Sequence, residues 1–179
     1  MIFQNRRDLL RESNQKPILR DATYADLPAL NDIYNDAVLN TSATYDEVPQ
    51  TLQERLRWYE EHLENGFPIV VVTDSRNGLL GWGSLSEFHP KPGYRNTVEN
   101  SIYISERAKG KGFGKAILRR LIECAKEKGY HAMIALIDSE NAVSLHMHEK
   151  AGFKEVGRLK EVGWKHGAWR DVVYMELIL

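Results

Sequence analysis

The spacing of apolar and polar positions divides the chain into segments of two periods. Thr23 with Asp26 has the form of a capping box, and behind it Leu27, Leu30, Ile33, Tyr34, Ala37 and Val38 recur at helical intervals. A second capping box, Thr51 with Glu54, opens another helix with Leu52, Leu56, Tyr59 and Leu63 on one side and Gly66 closing it. The polar stretch between them, residues 39–50, is long enough for a functional loop. The period then shortens: residues 68–73 and 79–85 read as strands joined through Ser75-Arg76-Asn77-Gly78, a good hairpin turn, after a short strand at 18–20. Along residues 97–105, Val98, Asn100, Ile102 and Ile104 share one face of a strand while Glu99, Ser101 and Tyr103 share the other. A helix follows with Ile117, Leu118, Leu121, Ile122 and Ala125 inward and Arg119, Arg120, Glu123, Lys126 and Glu127 outward, ended by Gly129. A strand at 132–137, a helix at 141–150 and closing strands around 153–156 and 172–177 complete the order. It predicts a mixed α/β (α+β) fold, antiparallel in its first half with a βαβ crossover in its second. Residues 1–16, polar and charged around Leu9 and Leu10, read as an N-terminal arm beside one domain over 17–179.

Composition narrows the partners. At 179 residues the chain can bury one full core. With 24 Lys+Arg against 25 Asp+Glu, no strong field favours nucleic acid or an anionic membrane. The lone Cys124 allows neither an internal disulfide nor a thiol cluster for zinc, and fits a reducing compartment. No apolar run approaches the ~20 residues of a membrane span, and residues 1–8 lack a secretory apolar core. The expected location is the cytoplasm. No metal site is expected, since His146 and His148 are two apart on a helix and face different ways.

The strongest local signal is Lys109-Gly110-Lys111-Gly112-Phe113-Gly114-Lys115, between a strand and a long helix. Unsatisfied N–H groups at a helix N-terminus carry the positive end of its dipole, and glycines let that backbone approach an anion. The glycines recur at intervals of two, which matches neither G-x-G-x-x-G nor the P-loop, so dinucleotide and ATP readings are weakened. Taken locally, an ordinary glycine-rich connection with solvated lysines stays open. A second signal is the helix from Asn141, which puts Asn141, Ser144, Leu145 and His148 on one face, Asn141 and His148 roughly 10 Å apart along the axis. Alone, Asn141 also reads as a helix cap and His148 as a structural histidine.

Together, the strand at 97–105, the turn at 107–114 and the segment Asn141-Ala142-Val143-Ser144-Leu145-His146-Met147-His148-Glu149-Lys150-Ala151-Gly152-Phe153 resemble the GNAT superfamily of N-acetyltransferases over nearly the whole domain. Asn141, Gly152 and Phe153 fall on that superfamily's N-x-x-A-x-x-x-Y-x-x-x-G-F framework. The strand at 97–105, Met147-His148-Glu149 and the tail at 162–172 are similar to its phosphinothricin and methionine sulfoximine acetyltransferase branch. The resemblance implies a central mixed twisted sheet of six to seven strands flanked by helices, acetyl-CoA as co-substrate, a small amine acceptor and a homodimer.

The resemblance also implies roles for residues. Lys109, Gly110, Lys111, Gly112, Phe113, Gly114 and Lys115 would hold the coenzyme A pyrophosphate; the backbone of Ile102, Tyr103 and Ile104 would bond the pantetheine; Asn141 and Ser144 would lie along that arm. Lys109 stands where the family usually has Arg or Gln, keeping charge without the planar fork. Glu99 matches a general base acting through water, and His148 stands where many members have a Tyr acid, either protonating the thiolate or helping to deprotonate the amine. Arg95 matches a carboxylate-binding arginine, His89 replaces a further arginine of that loop, and Tyr45 matches an aromatic residue of the acceptor pocket. Trp164 and Trp169 read as core or dimer-contact aromatics. The implied activity is transfer to an amino-acid-like acceptor. Two other readings remain open: an acetyltransferase for a protein N-terminus, polyamine or aminoglycoside, and a coenzyme A-binding module without catalysis.

Overall fold

A computed structural model describes residues 17–179; the arm expected at 1–16 lies outside the described residues. The elements run β1 (Ile18–Asp21), α1 (Leu27–Asn40), α2 (Leu52–Glu64), β2 (Ile69–Thr73), β3 (Leu79–Glu87), β4 (Thr97–Ile104), α3 (Phe113–Glu127), β5 (Ala132–Asp138), α4 (Ala142–Lys150), β6 (Lys154–Lys165) and β7 (Ala168–Ile178). The strands form one seven-stranded sheet in the order β1-β2-β3-β4-β5-β7-β6. Only β4 and β5 run parallel, as the crossover through α3 requires; every other neighbouring pair is antiparallel.

Helices cover both faces. On one, Ile117, Leu118 and Leu121 of α3 pack with Val70, Val72, Leu85, Val98, Met133, Phe153, Val173 and Met175. On the other, Leu27, Leu30, Ile33, Tyr34 and Val38 of α1 and Tyr59 of α2 pack with Ile69, Val71, Leu79 and Trp82. Residues of β2 are therefore buried on both sides, which explains a continuous apolar run where an alternating one would mark a half-exposed strand.

Both expected capping boxes form. Asp26 accepts from the Thr23 N–H (2.8 Å), and Glu54 accepts from the Thr51 N–H (2.8 Å) while Thr51 Oγ1 accepts from the Glu54 N–H (3.2 Å). Asp26 also takes both terminal nitrogens of Arg20 at 2.7 and 2.8 Å, and that pairing holds its carboxyl below the usual range while tying β1 to α1.

Two expectations need correction. The apolar stripe expected on α2 is rotated: Leu52 and Leu63 are exposed, and the buried face is Arg55, Tyr59 and His62. The closing strands are longer than expected, β6 with 12 residues about threefold and β7 with 11 nearly twofold, and they meet at a tight hairpin whose tip, His166 and Gly167, takes positive φ. Because β6 is the exposed edge of the sheet, it carries no buried alternation by which its length could be read.

Candidate active site

The sheet splits at its centre. β4 pairs with β5 only at Thr97–Ala132, Val98–Met133 and Glu99–Ile134, although β4 continues to Ile104 and β5 to Asp138. Beyond Glu99 the strands part. β4 stays bonded to β3 as far as Gly81–Ile104, so its outward backbone groups over residues 100–104 face the fork with no strand opposite. Ile102, Tyr103 and Ile104 thus supply a free peptide edge.

At the mouth of the fork, α3 begins immediately after the glycine turn. Gly110 and Gly112 have φ of +74° and +82°, and an added Cβ at either would meet nothing within 4 Å. The space before the turn is open, and Gly112 is the left-handed N-cap of α3. The first helical bond is Ala116 N–H to the Gly112 carbonyl (3.2 Å), which leaves the N–H groups of Phe113, Gly114 and Lys115 outside the ladder. Lys111 Nζ donates to the Arg107 carbonyl (2.8 Å), and Lys109 Nζ pairs with Glu106 (2.5 Å); both stay at the surface. Gly114 has a packing role, since its Cβ would sit 3.0 Å from Met147 Sδ of α4.

The two faces of β4 differ. Glu99, Ser101 and Tyr103 face α1 and α2. Glu99 lies in the last paired rung, and burial alone pushes its carboxyl above the usual range; no described residue donates to it. Its cross-strand neighbour Ser86 contacts His62 Nε2 (3.3 Å). The Tyr103 side chain enters an aromatic cluster with Tyr34 (5.1 Å between ring centroids) and Trp82 (4.7 Å), and burial raises its hydroxyl pKa. The cluster surrounds Arg55, whose guanidinium lies 4.3 Å from the Tyr34 ring centre and 4.6 Å from that of Trp58. Arg55 Nε donates to Asn31 (3.4 Å), and its Nη2 has no partner among the described residues.

Asn100 and His148 meet on the opposite face. His148 Nε2 is 3.0 Å from Asn100 Oδ1; its Nδ1 is 2.9 Å from the Ser144 carbonyl and 3.4 Å from Ser144 Oγ. Burial draws its pKa below the ordinary value, opposed by the Ser144 carbonyl. Asn141 is the N-cap of α4, its side chain accepting from the Ser144 N–H (3.1 Å). Glu99 and His148, paired as acid–base candidates from sequence, therefore point from opposite faces of the sheet.

The matching family model, acetyltransferase (GNAT) domain, covers residues 17–154, and the mixed seven-stranded sheet flanked by helices is the architecture expected from the resemblance. The chain belongs to the GNAT acetyltransferase family. The L-methionine sulfoximine/L-methionine sulfone acetyltransferase of Pseudomonas aeruginosa is 42% identical over 161 residues, 90% of this chain and 94% of that one. The L-amino acid N-acyltransferase MnaT of Escherichia coli is 38% identical over 162 residues, covering 90% and 93%. Among solved structures, the phosphinothricin acetyltransferase of Sinorhizobium meliloti in complex with AcCoA superimposes with a TM-score of 0.89 at 39% identity, over 91% and 88% of the two chains.

Within this GNAT chain the expected acceptor residues lie in two loops. Tyr45, between α1 and α2, bonds Asp138 at the end of β5 (3.3 Å), and its ring covers Gly163 of β6; burial pushes its pKa up to about 12. Lys165 anchors the same loop, its buried ammonium donating to the carbonyls of Val38 (2.7 Å) and Asp46. His89 and Arg95 belong to the β3–β4 loop: His89 stacks on Tyr94 (4.8 Å between centroids) and accepts from the Lys91 N–H, and Arg95 is exposed, donating to the Pro92 carbonyl (3.2 Å). Trp164 and Trp169 stack on each other (5.0 Å) at the surface, so neither is a core aromatic. Among the described residues no group of three or more His, Cys, Asp or Glu is placed to hold a metal. The sequence alone assigns no site role to Arg55, Asn100 or Lys165. The signal for Asn100 was available, as a polar residue on the otherwise apolar face of β4.

Proposed function

We propose that this chain acetylates the amino group of a small amino-acid-like acceptor, of the phosphinothricin or methionine sulfoximine type, with acetyl-CoA bound in the fork. The carrying observation is Glu99, a half-buried carboxylate with no partner among the described residues, at the last rung before the strands part. The thioester of acetyl-CoA supplies an activated acetyl group, so the reading needs no metal: the acceptor nitrogen forms the amide C–N bond, the thioester C–S bond breaks, and the coenzyme A thiolate leaves and takes up a proton to become the free thiol. The free N–H groups of the glycine turn, with Lys109, Lys111 and Lys115, fit a pyrophosphate, and the β4 edge at Ile102, Tyr103 and Ile104 fits an extended arm carrying amide groups. Asn141 and Ser144, at the start of α4, border the same fork.

An amino acid is a protonated amine at neutral pH and must lose a proton before its nitrogen can attack. Glu99 receives that proton through water, and a carboxyl with a raised pKa is better matched to this task than a solvated one. Arg95 and His89 meet the acceptor's carboxylate end, and Tyr45 walls its side chain. The relatives' acceptors, methionine sulfoximine and L-amino acids by name, support this class. We also place the enzyme in the cytoplasm as one domain over 17–179 and as a homodimer, the exposed Trp164–Trp169 pair beside the β6 edge supporting association. No described helix is long and apolar enough to cross a membrane.

Thiol release from acetyl-CoA with phosphinothricin, methionine sulfoximine and an amino-acid panel tests the activity; silence across a broad amine panel overturns it. One observation favours a second reading, a polyamine-type acceptor. Glu176 shares the Glu99 row across β5, on the same face about 10 Å away, giving the site a second carboxylate. Loss of an acceptor-carboxylate dependence in Arg95→Ala would reject that reading.

A further inference from the structure

The fork needs something to hold it open, because two adjacent strands with free peptide edges gain hydrogen bonds by closing. Its apex is not held by backbone alone. Asn100, the first β4 residue beyond the last rung, reaches under the sheet, and its Nδ2 donates to the Ile134 carbonyl of β5 (3.1 Å). That bond orients the amide, so Oδ1 must face His148, and His148 Nε2 must carry the hydrogen between them (3.0 Å). In that neutral tautomer Nδ1 is an acceptor, so it can take a bond from the Ser144 hydroxyl (3.4 Å), while the Ser144 carbonyl at 2.9 Å would be bonded only by a protonated ring. Asn100 and His148 are 6% and 3% exposed, and the Phe153 ring packs edge-on against the imidazole (5.0 Å). Three elements, β4, β5 and α4, thus meet at one buried polar junction where the sheet divides.

The geometry points to Asn100 and His148 as a positioning pair that wedges the β4–β5 fork at the width acetyl-CoA requires, with His148 taking no part in proton transfer. Glu99 projects from the other face of the same strand, and the Nε2 hydrogen is committed to Asn100. The inference rests on the reading of the fork as the acetyl-CoA site.

Four variants test it, with coenzyme A affinity measured by calorimetry beside steady-state kinetics. Asn100→Leu and His148→Phe, if folded by thermal melting, should weaken coenzyme A binding and raise the KM for acetyl-CoA about tenfold, with kcat changed less than about threefold. His148→Gln places an amide N–H where Nε2 lies and cannot shuttle a proton at neutral pH. It should restore binding and keep the wild-type limbs of the kcat–pH profile. Should either apolar variant fail to fold, Asn100→Asp, which keeps an acceptor for His148 but sets a carboxylate oxygen in place of the donor to Ile134, supplies a second break of the β4–β5 bridge. A fall of about a hundredfold in kcat for His148→Gln at unchanged KM would make His148 a proton-transfer group and overturn the inference. So would folded Asn100 variants that bind coenzyme A as the wild type does. Wild-type protein that binds no coenzyme A at all would instead reject the reading of the fork itself, and the wedge with it.

Discussion

The two faces of β4 carry polar groups of opposite character within one residue of each other. On one, Asn100 is bonded through both ends of its amide, to Ile134 and to His148. On the other, Glu99 is half-buried, with nothing among the described residues to pair it. A protein interior tolerates polar groups when they are satisfied and is destabilised by them when they are not. The satisfied junction therefore reads as architecture, and the unsatisfied carboxylate as a group whose partner arrives with the substrate. Sequence alternation alone had put the two on different faces; it could not say which of them was complete.

Glu99→Gln should produce the largest effect. Removing the base is expected to lower kcat by about 10²–10⁴ while leaving coenzyme A affinity at the wild-type value, since Glu99 lies off the glycine turn. The same change removes an unpaired, half-buried charge and should raise stability by up to about 1 kcal/mol at neutral pH. Kinetics and thermal melting on one sample check both. A variant less active and also less stable would mean that Glu99 has a structural partner, and the contrast between the faces would collapse.

The next effect tests whether the acceptor side depends on the α1–α2 loop. A Cβ on Gly163 would stand 2.3 Å from Cε1 of Tyr45, inside any tolerable contact, and the ring belongs to the loop that Lys165 anchors. Gly163→Ala should cost about 1–3 kcal/mol or expel Tyr45 from its seat, raising the acceptor KM about tenfold and leaving the acetyl-CoA KM alone. An equal rise in both would show that the loop serves the cofactor as well.

The parts legible in the sequence were those governed by local rules. Capping at Thr23 and Thr51, the apolar stripes of α1 and α3, and the strand–glycine–helix order of the turn each depend on residues a few positions apart. The α2 stripe misled because Arg55 and His62, polar by type, are buried by aromatic stacking and a Ser86 contact that only the fold supplies, while Leu52 and Leu63 are left at the surface. The long β6 escaped because an exposed edge strand carries no burial period. The Asn100–His148 bond joins residues 48 apart on separate elements, and no local spacing encodes such a pairing.

Acid titration should separate Glu99 from His148 by sign. Burial lowers the pKa of His148, and also of His62, from 6.5, so the unfolded chain binds protons that the folded one refuses. Their contribution is complete above pH 6.5 and is lost as pH falls below it. Glu99 is raised from 4.5, so its half-buried charge is destabilising at neutral pH, and that cost is relieved as pH falls through its raised value. Melting temperatures measured from pH 7.5 to about 4.5 should therefore fall more steeply in Glu99→Gln than in wild type and less steeply in His148→Gln. Parallel curves for all three proteins would mean that neither group differs between folded and unfolded states.

The smallest effect tests how complete the satisfied face is. Ser144 approaches His148 twice, with its carbonyl at 2.9 Å and its hydroxyl at 3.4 Å, and only the hydroxyl is lost in Ser144→Ala. At that distance the hydroxyl bond is weak, and the Asn141 cap uses the Ser144 N–H, which remains. The expected cost is no more than about 0.5 kcal/mol, with the acetyl-CoA KM unchanged, as read by denaturant unfolding and steady-state kinetics. A much larger loss would locate the orientation of the imidazole in Nδ1 instead of Nε2. Asn100 would then follow the ring instead of setting it, and the junction would be organised from α4 outward.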